Sequence, residues 1–190
     1  MEPIETERLL IRAFTMEDVE NVHREVYASA DVWGPKSRVE VKEGVLYAML
    51  MSRHADDGAW AKRAVVLKDS DVFIGQVRLS PSYNWFYRWE EEPAPLYNKV
   101  EVELAFAFGK AYWGKSYAYE ASRAMIHYAF AELKLPRLVG GTGADNLRSI
   151  NLHRRLGYRI YEALPIPGHD WGAGVVAVLD NELQSENDTV

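Results

Sequence analysis

Cysteine does not occur among the 190 residues, which removes disulfide cross-links, thiolate metal ligation and a cysteine nucleophile together. A reducing cytoplasm suits such a chain. Long apolar runs are missing as well: none approaches the roughly 20 residues that span a bilayer, and Met1-Glu2-Pro3 opens without the basic flank and apolar core of a leader peptide. The expectation is a cytoplasmic protein with no membrane partner. Basic residues are the minority, 22 Lys and Arg against 28 Asp and Glu, and a net charge of −6 disfavours a nucleic-acid backbone as partner. A cationic or amine-bearing substrate suits that balance better. His23, His54, His127 and His169 are scattered without an i, i+4 pair or an acidic cluster at ligand spacing, so no metal site is expected. Gly140-Gly141-Thr142-Gly143 fails a G-x-G-x-x-G match because Asn146 stands where the last glycine belongs.

What is present is a hydrophobic fraction of 48%, enough for a substantial core in one domain over residues 1–182, with 183–190 a polar tail. Leu9 to Phe14 reads as a strand, and Thr15-Met16-Glu17-Asp18 as a helix start capped by Thr15 and running to about Ala28. Val41, Val45, Leu46 and Met49 recur at helical spacing between Val39 and Met51. Ala64–Leu67 and Val72–Leu79 flank Asp69-Ser70-Asp71 as a hairpin. Tyr83, Trp85, Tyr87 and Trp89 alternate with other residues and so share one strand face, a pattern open to three readings: core, substrate wall or the contact of a twofold homodimer, the last favoured. Val100 to Phe108 is the next strand, Tyr117 to Leu133 a broad apolar helix, Arg137 to Gly140 a short strand, and Gly140 to Gly143 a flexible turn before a helix to Leu156 that Asp145 or Asn146 can cap. Tyr158–Leu164 and Val175–Leu179 read as the last strands.

Three constellations carry chemistry. Phe106 to Phe108 runs through Trp113-Gly114-Lys115-Ser116-Tyr117-Ala118 into a helix, and a helix start offers unpaired backbone N–H groups and positive potential to a phosphate; an ordinary strand-to-helix connection is the other reading. Glu101 and Glu103 share a strand face, either as a solvent-facing edge or as a carboxylate able to take a proton from an amine. Asn146, Ser149 and His153 stack at i, i+3 and i+7, either as a solvated face or as a site in which His153 donates a proton. Glu120, an acid in a first helical turn, reads as structural.

The Trp113–Ala118 run followed by Glu120-Ala121 resembles the acyl-CoA pyrophosphate loop of the GCN5-related N-acetyltransferases, and within them most resembles the ribosomal-protein N-acetyltransferase branch. Glu5-Thr6-Glu7-Arg8-Leu9-Leu10-Ile11-Arg12, Phe73-Ile74-Gly75-Gln76-Val77, Asn146-Leu147-Arg148-Ser149 and Leu156-Gly157-Tyr158 match further family segments in the same order. The loop departs from the family's Gln/Arg-x-x-Gly-x-Gly/Ala at Trp113 and at Ser116, where the family has its central glycine. The resemblance implies an α/β fold of helices flanking a mixed, mainly antiparallel sheet, with acyl-CoA where Val102–Phe108 and Arg137–Gly140 splay. It further implies acetyl-CoA as cosubstrate and an amine acceptor, either a protein N-terminus or a small molecule. Phe106, Ala107 and Phe108 would pair with pantetheine, the segment Trp113 to Ala118 would hold the pyrophosphate, Asn146 and Ser149 would face the pantetheine arm, Glu103 would be the base, and His153, standing where the family often has tyrosine, the acid. A catalytically silent acyl-CoA-binding or sensing module is the alternative.

Overall fold

A computed structural model describes residues 1–28, 34–54, 58–83, 100–164 and 174–182. They are mixed α/β, with eight mostly antiparallel strands and flanking helices, as the sequence implies. Two compact units are present, Met1–Leu79 with Ala105–Met125, and Ser80–Leu104 with Ile126–Val190.

In the first unit, β1 (Ile4–Glu5), β2 (Leu9–Arg12), β3 (Arg63–Leu67) and the start of β4 (Phe73–Tyr83) are successive antiparallel neighbours, in register at Ile4↔Ile11, Leu10↔Val66 and Arg63↔Val77. The end of β5 (Val100–Phe108) lies beside β4: Gly109 N–H donates to Ile74 C=O at 3.0 Å, and a Cβ on Gly75 would stand 2.6 Å from the Ala107 carbonyl. Only glycine allows that approach. The first helix starts later than expected. Asp18, almost fully buried, reaches back to accept from the Thr15 N–H at 2.8 Å and to pair with Arg12, so α1 spans Asp18–Val22 and continues as a π-helical turn over His23–Tyr27. Ser37 and Glu40 form a reciprocal capping box at the start of α2 (Arg38–Arg53). Its buried stripe is Val41, Val45 and Ala48, narrower than the sequence pattern implies, and Leu46 is exposed. These side chains pack with Phe14, Tyr27, Phe73 and Ala107 into one core cluster.

In the second unit, β5 and β6 (Arg137–Gly143) are parallel in register at Glu103↔Val139, β6 pairs with β8 (Gly174–Asp180), and β8 with β7 (Arg159–Glu162). The glycine run is strand and not the flexible turn expected of it. Seven registered pairs from Arg137↔Asp180 to Gly143↔Gly174 hold it against the valine-rich β8, and that pairing overrides the weak strand preference of glycine. Helix α3 (Tyr117–His127) belongs to the first unit as far as Met125 and ends in a π-helical turn at Tyr128–Glu132, and α4 of the second unit covers Leu147–Arg155. The aromatic segment at Trp85 to Trp89 and the polar tail 183–190 lie outside the described residues. No helix among the described residues is long and apolar enough to cross a membrane, and no group of three His, Asp or Glu is gathered there at metal-binding spacing.

Candidate active site

The loop that resembles a phosphate cradle belongs to the first unit. After β5 the chain makes a 3-10 turn at Lys110–Tyr112, and the Trp113 indole Nε1 donates to the Phe108 carbonyl at 2.7 Å, tying the loop to the strand end. Gly114 (φ +75°) and Ser116 (φ +62°) are both left-handed, two reversals within three positions that turn the chain into α3. An added Cβ at Gly114 would meet nothing, so conformation and not crowding calls for glycine there. Ser116 meets the same demand with a side chain, and the family's central glycine at this place has its explanation in that angle. The Glu120 N–H closes the first helical bond on the Ser116 carbonyl at 3.0 Å, which leaves the amides before it outside the helical ladder. Gly114, Lys115 and Ser116 are exposed, and Tyr117 and Ala118 half-buried, so this cradle is open to a ligand.

The loop is held from below by a clamp that sequence reasoning did not find. Glu120 accepts from the Thr6 hydroxyl (2.6 Å), the Arg8 N–H (2.9 Å) and Arg8 Nε (2.7 Å), while Arg8 Nη1 donates to the Lys115 carbonyl at 3.2 Å and its guanidinium lies 4.5 Å from the centre of the Tyr117 ring. Partial burial pushes the Glu120 carboxyl upward, but the Thr6 and Arg8 hydrogen bonds and the Arg8 charge outweigh it and hold it below its ordinary value. The sequence signal was Thr6-Glu7-Arg8 itself, recognised as a segment without a stated partner.

In the second unit the two strand carboxylates part company. Glu101 is 3% exposed and ion-paired with Arg137 at 2.8 Å, so it is no solvent-facing edge. Glu103 is half-buried and opposite Val139, the one registered β5–β6 pair. On α4, the Asn146 side chain accepts from the Ser149 N–H at 3.2 Å and caps the helix. His153 is 4% exposed; its Nδ1 lies 2.8 Å from the Ser149 carbonyl and 3.5 Å from the Ser149 hydroxyl. A carbonyl only accepts, so Nδ1 carries the proton and Nε2 is left with the lone pair in the neutral ring. That Nε2 rests on Gly140, where an added Cβ would stand 2.5 Å away. Burial lowers the tendency of His153 to ionise, and the hydrogen bond to Ser149 opposes this only in part. The ring packs edge-on to Tyr158 at 5.1 Å, and the buried Tyr158 hydroxyl has no hydrogen-bond partner among the described residues; burial pushes that phenol upward. Thus Phe106–Phe108 and Trp113–Ala118 share one unit, and Glu103, Asn146, Ser149 and His153 the other.

Comparison with known proteins completes the description. The family model of the acetyltransferase (GNAT) domain matches residues 8–159. The uncharacterized N-acetyltransferase YnaD of Bacillus subtilis (strain 168) is 26% identical over 187 residues, covering 94% of this chain and 98% of that protein. A crystal structure of an acetyltransferase (GNAT family) from Bacillus anthracis superposes with a TM-score of 0.72 at 24% identity, over 95% of this chain and 99% of the other. A ribosomal L7/L12 α-N-protein acetyltransferase solved with coenzyme A superposes with a TM-score of 0.64 at 17% identity, over 94% and 98% of the two chains.

Proposed function

From the premise that the chain belongs to the acetyltransferase (GNAT) family and is an acetyl-CoA-dependent N-acetyltransferase, we propose that it acetylates a primary amine by direct attack in a ternary complex. The observation that carries the proposal is the left-handed pair Gly114 and Ser116 opening α3, which supports the amides from Gly114 to Ala118 as donors to the CoA pyrophosphate. The backbone of Phe106, Ala107 and Phe108 is assigned to pantetheine, with one lone pair of the Phe108 carbonyl taken by Trp113 and the Ala107 carbonyl facing Gly75. Asn146 and Ser149, on α4, are assigned to the pantetheine arm by the family resemblance alone. The acceptor is a protein N-terminus, as for the ribosomal-protein branch, or a small amine. Nucleic acid is no partner, and a homodimer through Trp85 and Trp89 is expected to sediment as monomer once both are changed to alanine.

In the reaction the amine nitrogen bonds to the thioester carbon, its proton passes to Glu103 directly or through water, and the C–S bond breaks to release the CoA thiolate. A thiolate with a pKa near 8.5 leaves without much assistance. His153, held largely neutral with its proton on Nδ1, supplies an acid only in its minority imidazolium form. Its loss therefore costs less than loss of the base. The same neutral histidine favours the second reading, a silent acyl-CoA-binding module. Release of CoA thiol, followed across a panel of amines, separates the two. With an accepted amine, Glu103→Gln is expected to lower kcat about 10³-fold and His153→Ala about 10²-fold, both with CoA affinity nearly unchanged. Raising the pH recovers part of the Glu103→Gln loss, because more acceptor is then free amine. Wild-type turnover from both variants would remove these residues from the mechanism.

A further inference from the structure

The first unit holds a cavity of about 30 Å³ that the acetyl-transfer machinery described above does not use. Its apolar lining includes Phe14, Val22 and Val41, and its polar lining is Tyr27, Lys36, Glu40, Lys62 and Gln76. Tyr27 is almost fully buried, and its hydroxyl is hydrogen-bonded by Gln76 Nε2 at 3.4 Å and by the Lys62 ammonium. The Lys36 ammonium lies 4.9 Å from the centre of the same ring. Lys62 immediately precedes Arg63, the first residue of β3, which is registered with Val77, so Lys62 and Arg78 lie near one another. Burial first, and then the Arg78 and Lys36 charges, push the Lys62 ammonium below its ordinary value, although Tyr27 acts the other way. The lining carboxylate, Glu40, accepts from the Ser37 N–H and hydroxyl, which ties it to the helix cap. Among the described residues the cavity is thus lined by two lysines and one carboxylate that is already hydrogen-bonded.

We propose that this cavity is an anion subsite for the carboxylate of the acetyl acceptor, so that the preferred substrate is an amine carrying an acid group, with Lys62 and Lys36 as its cationic walls and Tyr27 and Gln76 orienting the group. Its size sets the class: the space admits on the order of one or two water-sized groups, which fits the two oxygens of a carboxylate. Its position sets the role. Gln76 follows Gly75, which backs directly onto the Ala107 carbonyl, and Tyr27 and Val41 share a core cluster with Ala107. The cavity therefore flanks the strand end assigned to pantetheine. That the carboxylate belongs to an acceptor rests on the acetyl-transfer reading; the subsite itself does not.

The test uses the full chain and glutarate, a carboxylate without an amine, titrated by calorimetry. Saturable binding is expected, weakened about tenfold or more by Lys62→Met and by Lys36→Ala and largely kept by Lys62→Arg, as a charge-assisted hydrogen bond implies. Lys36 is exposed, so its variant reads the subsite even if Lys62→Met does not fold. In turnover with acetyl-CoA, 4-aminobutyrate should exceed butylamine in kcat/KM by about tenfold to a hundredfold, and Lys62→Met should erase that preference with CoA affinity unchanged. Equal glutarate binding in all variants, or inorganic phosphate binding more tightly than glutarate, would overturn the proposal. Lys62-dependent glutarate binding with no CoA released from either amine would support the subsite and overturn its assignment to an acceptor, together with the enzymatic reading.

Discussion

At φ +62° the Cβ of Ser116 crowds its own backbone, a cost of about 1–2 kcal/mol that glycine does not carry. Ser116→Gly is therefore expected to raise stability by about 1 kcal/mol, less the extra freedom that glycine gives the unfolded chain, and to leave CoA affinity equal or tighter. Chemical denaturation and calorimetric titration with CoA read the two quantities. A tenfold fall in affinity would instead make the exposed hydroxyl a direct ligand, with the strain retained for that contact. His153 shows what a residue's position leaves open. Its place seven residues after Asn146 is legible in the sequence, but its protonation is decided by the Ser149 carbonyl and by burial against Gly140, which the linear pattern does not show. The sign follows from the lowered ionisation. Below about pH 6.5 the unfolded chain takes a proton on His153 that the folded one refuses, so this group removes stability as the pH falls through that window and contributes nothing above it.

The start of α3 depends on a residue from the opposite end of the sequence. Thr6 and Arg8 precede Glu120 by more than a hundred positions, yet together they give its carboxylate three hydrogen bonds, and Arg8 also holds the Lys115 carbonyl. Glu120→Ala should cost about 1–2 kcal/mol, at the low end for charge-assisted bonds because Arg8 is well exposed, and should weaken CoA binding severalfold by loosening the loop. The carboxyl is held low in the fold, so its contribution is complete above about pH 4.5 and is lost as the pH falls below that value. A denaturation series from pH 7 to pH 3, with wild type and variant converging at the acid end, checks this; parallel curves would refute it. Elements whose pattern is local were legible. Val100 to Phe108 is the strand its alternation implies, and α4 is capped by Asn146, one of the two caps its sequence offers. What was not legible is decided across the chain: Asp18 pairs with Arg12 at the start of α1, β8 recruits the glycine run of β6, and the cavity at Tyr27 needs Lys62 from just before β3 and Gln76 from β4.

For the molecule as a whole, the acetyl-CoA site makes ligand concentration a variable of stability. A ligand that binds only the folded chain adds free energy of RT ln(1 + [L]/Kd), about 2.7 kcal/mol at a hundredfold excess over Kd. For a chain of this length each kcal/mol moves the midpoint by roughly 2–4 °C, so saturating acetyl-CoA is expected to raise Tm by roughly 5–10 °C. The cradle and its clamp both lie in the first unit, so the shift should depend on them in a graded way. At one fixed acetyl-CoA concentration, Ser116→Gly should match or exceed the wild-type shift, whereas Glu120→Ala should fall short of it, because weaker affinity lowers [L]/Kd. Scanning calorimetry of the three proteins, each with and without ligand, makes the comparison. An absent shift in the wild type would overturn acetyl-CoA binding itself, and an equal shift in the Glu120→Ala protein would release the clamp from any part in holding the loop.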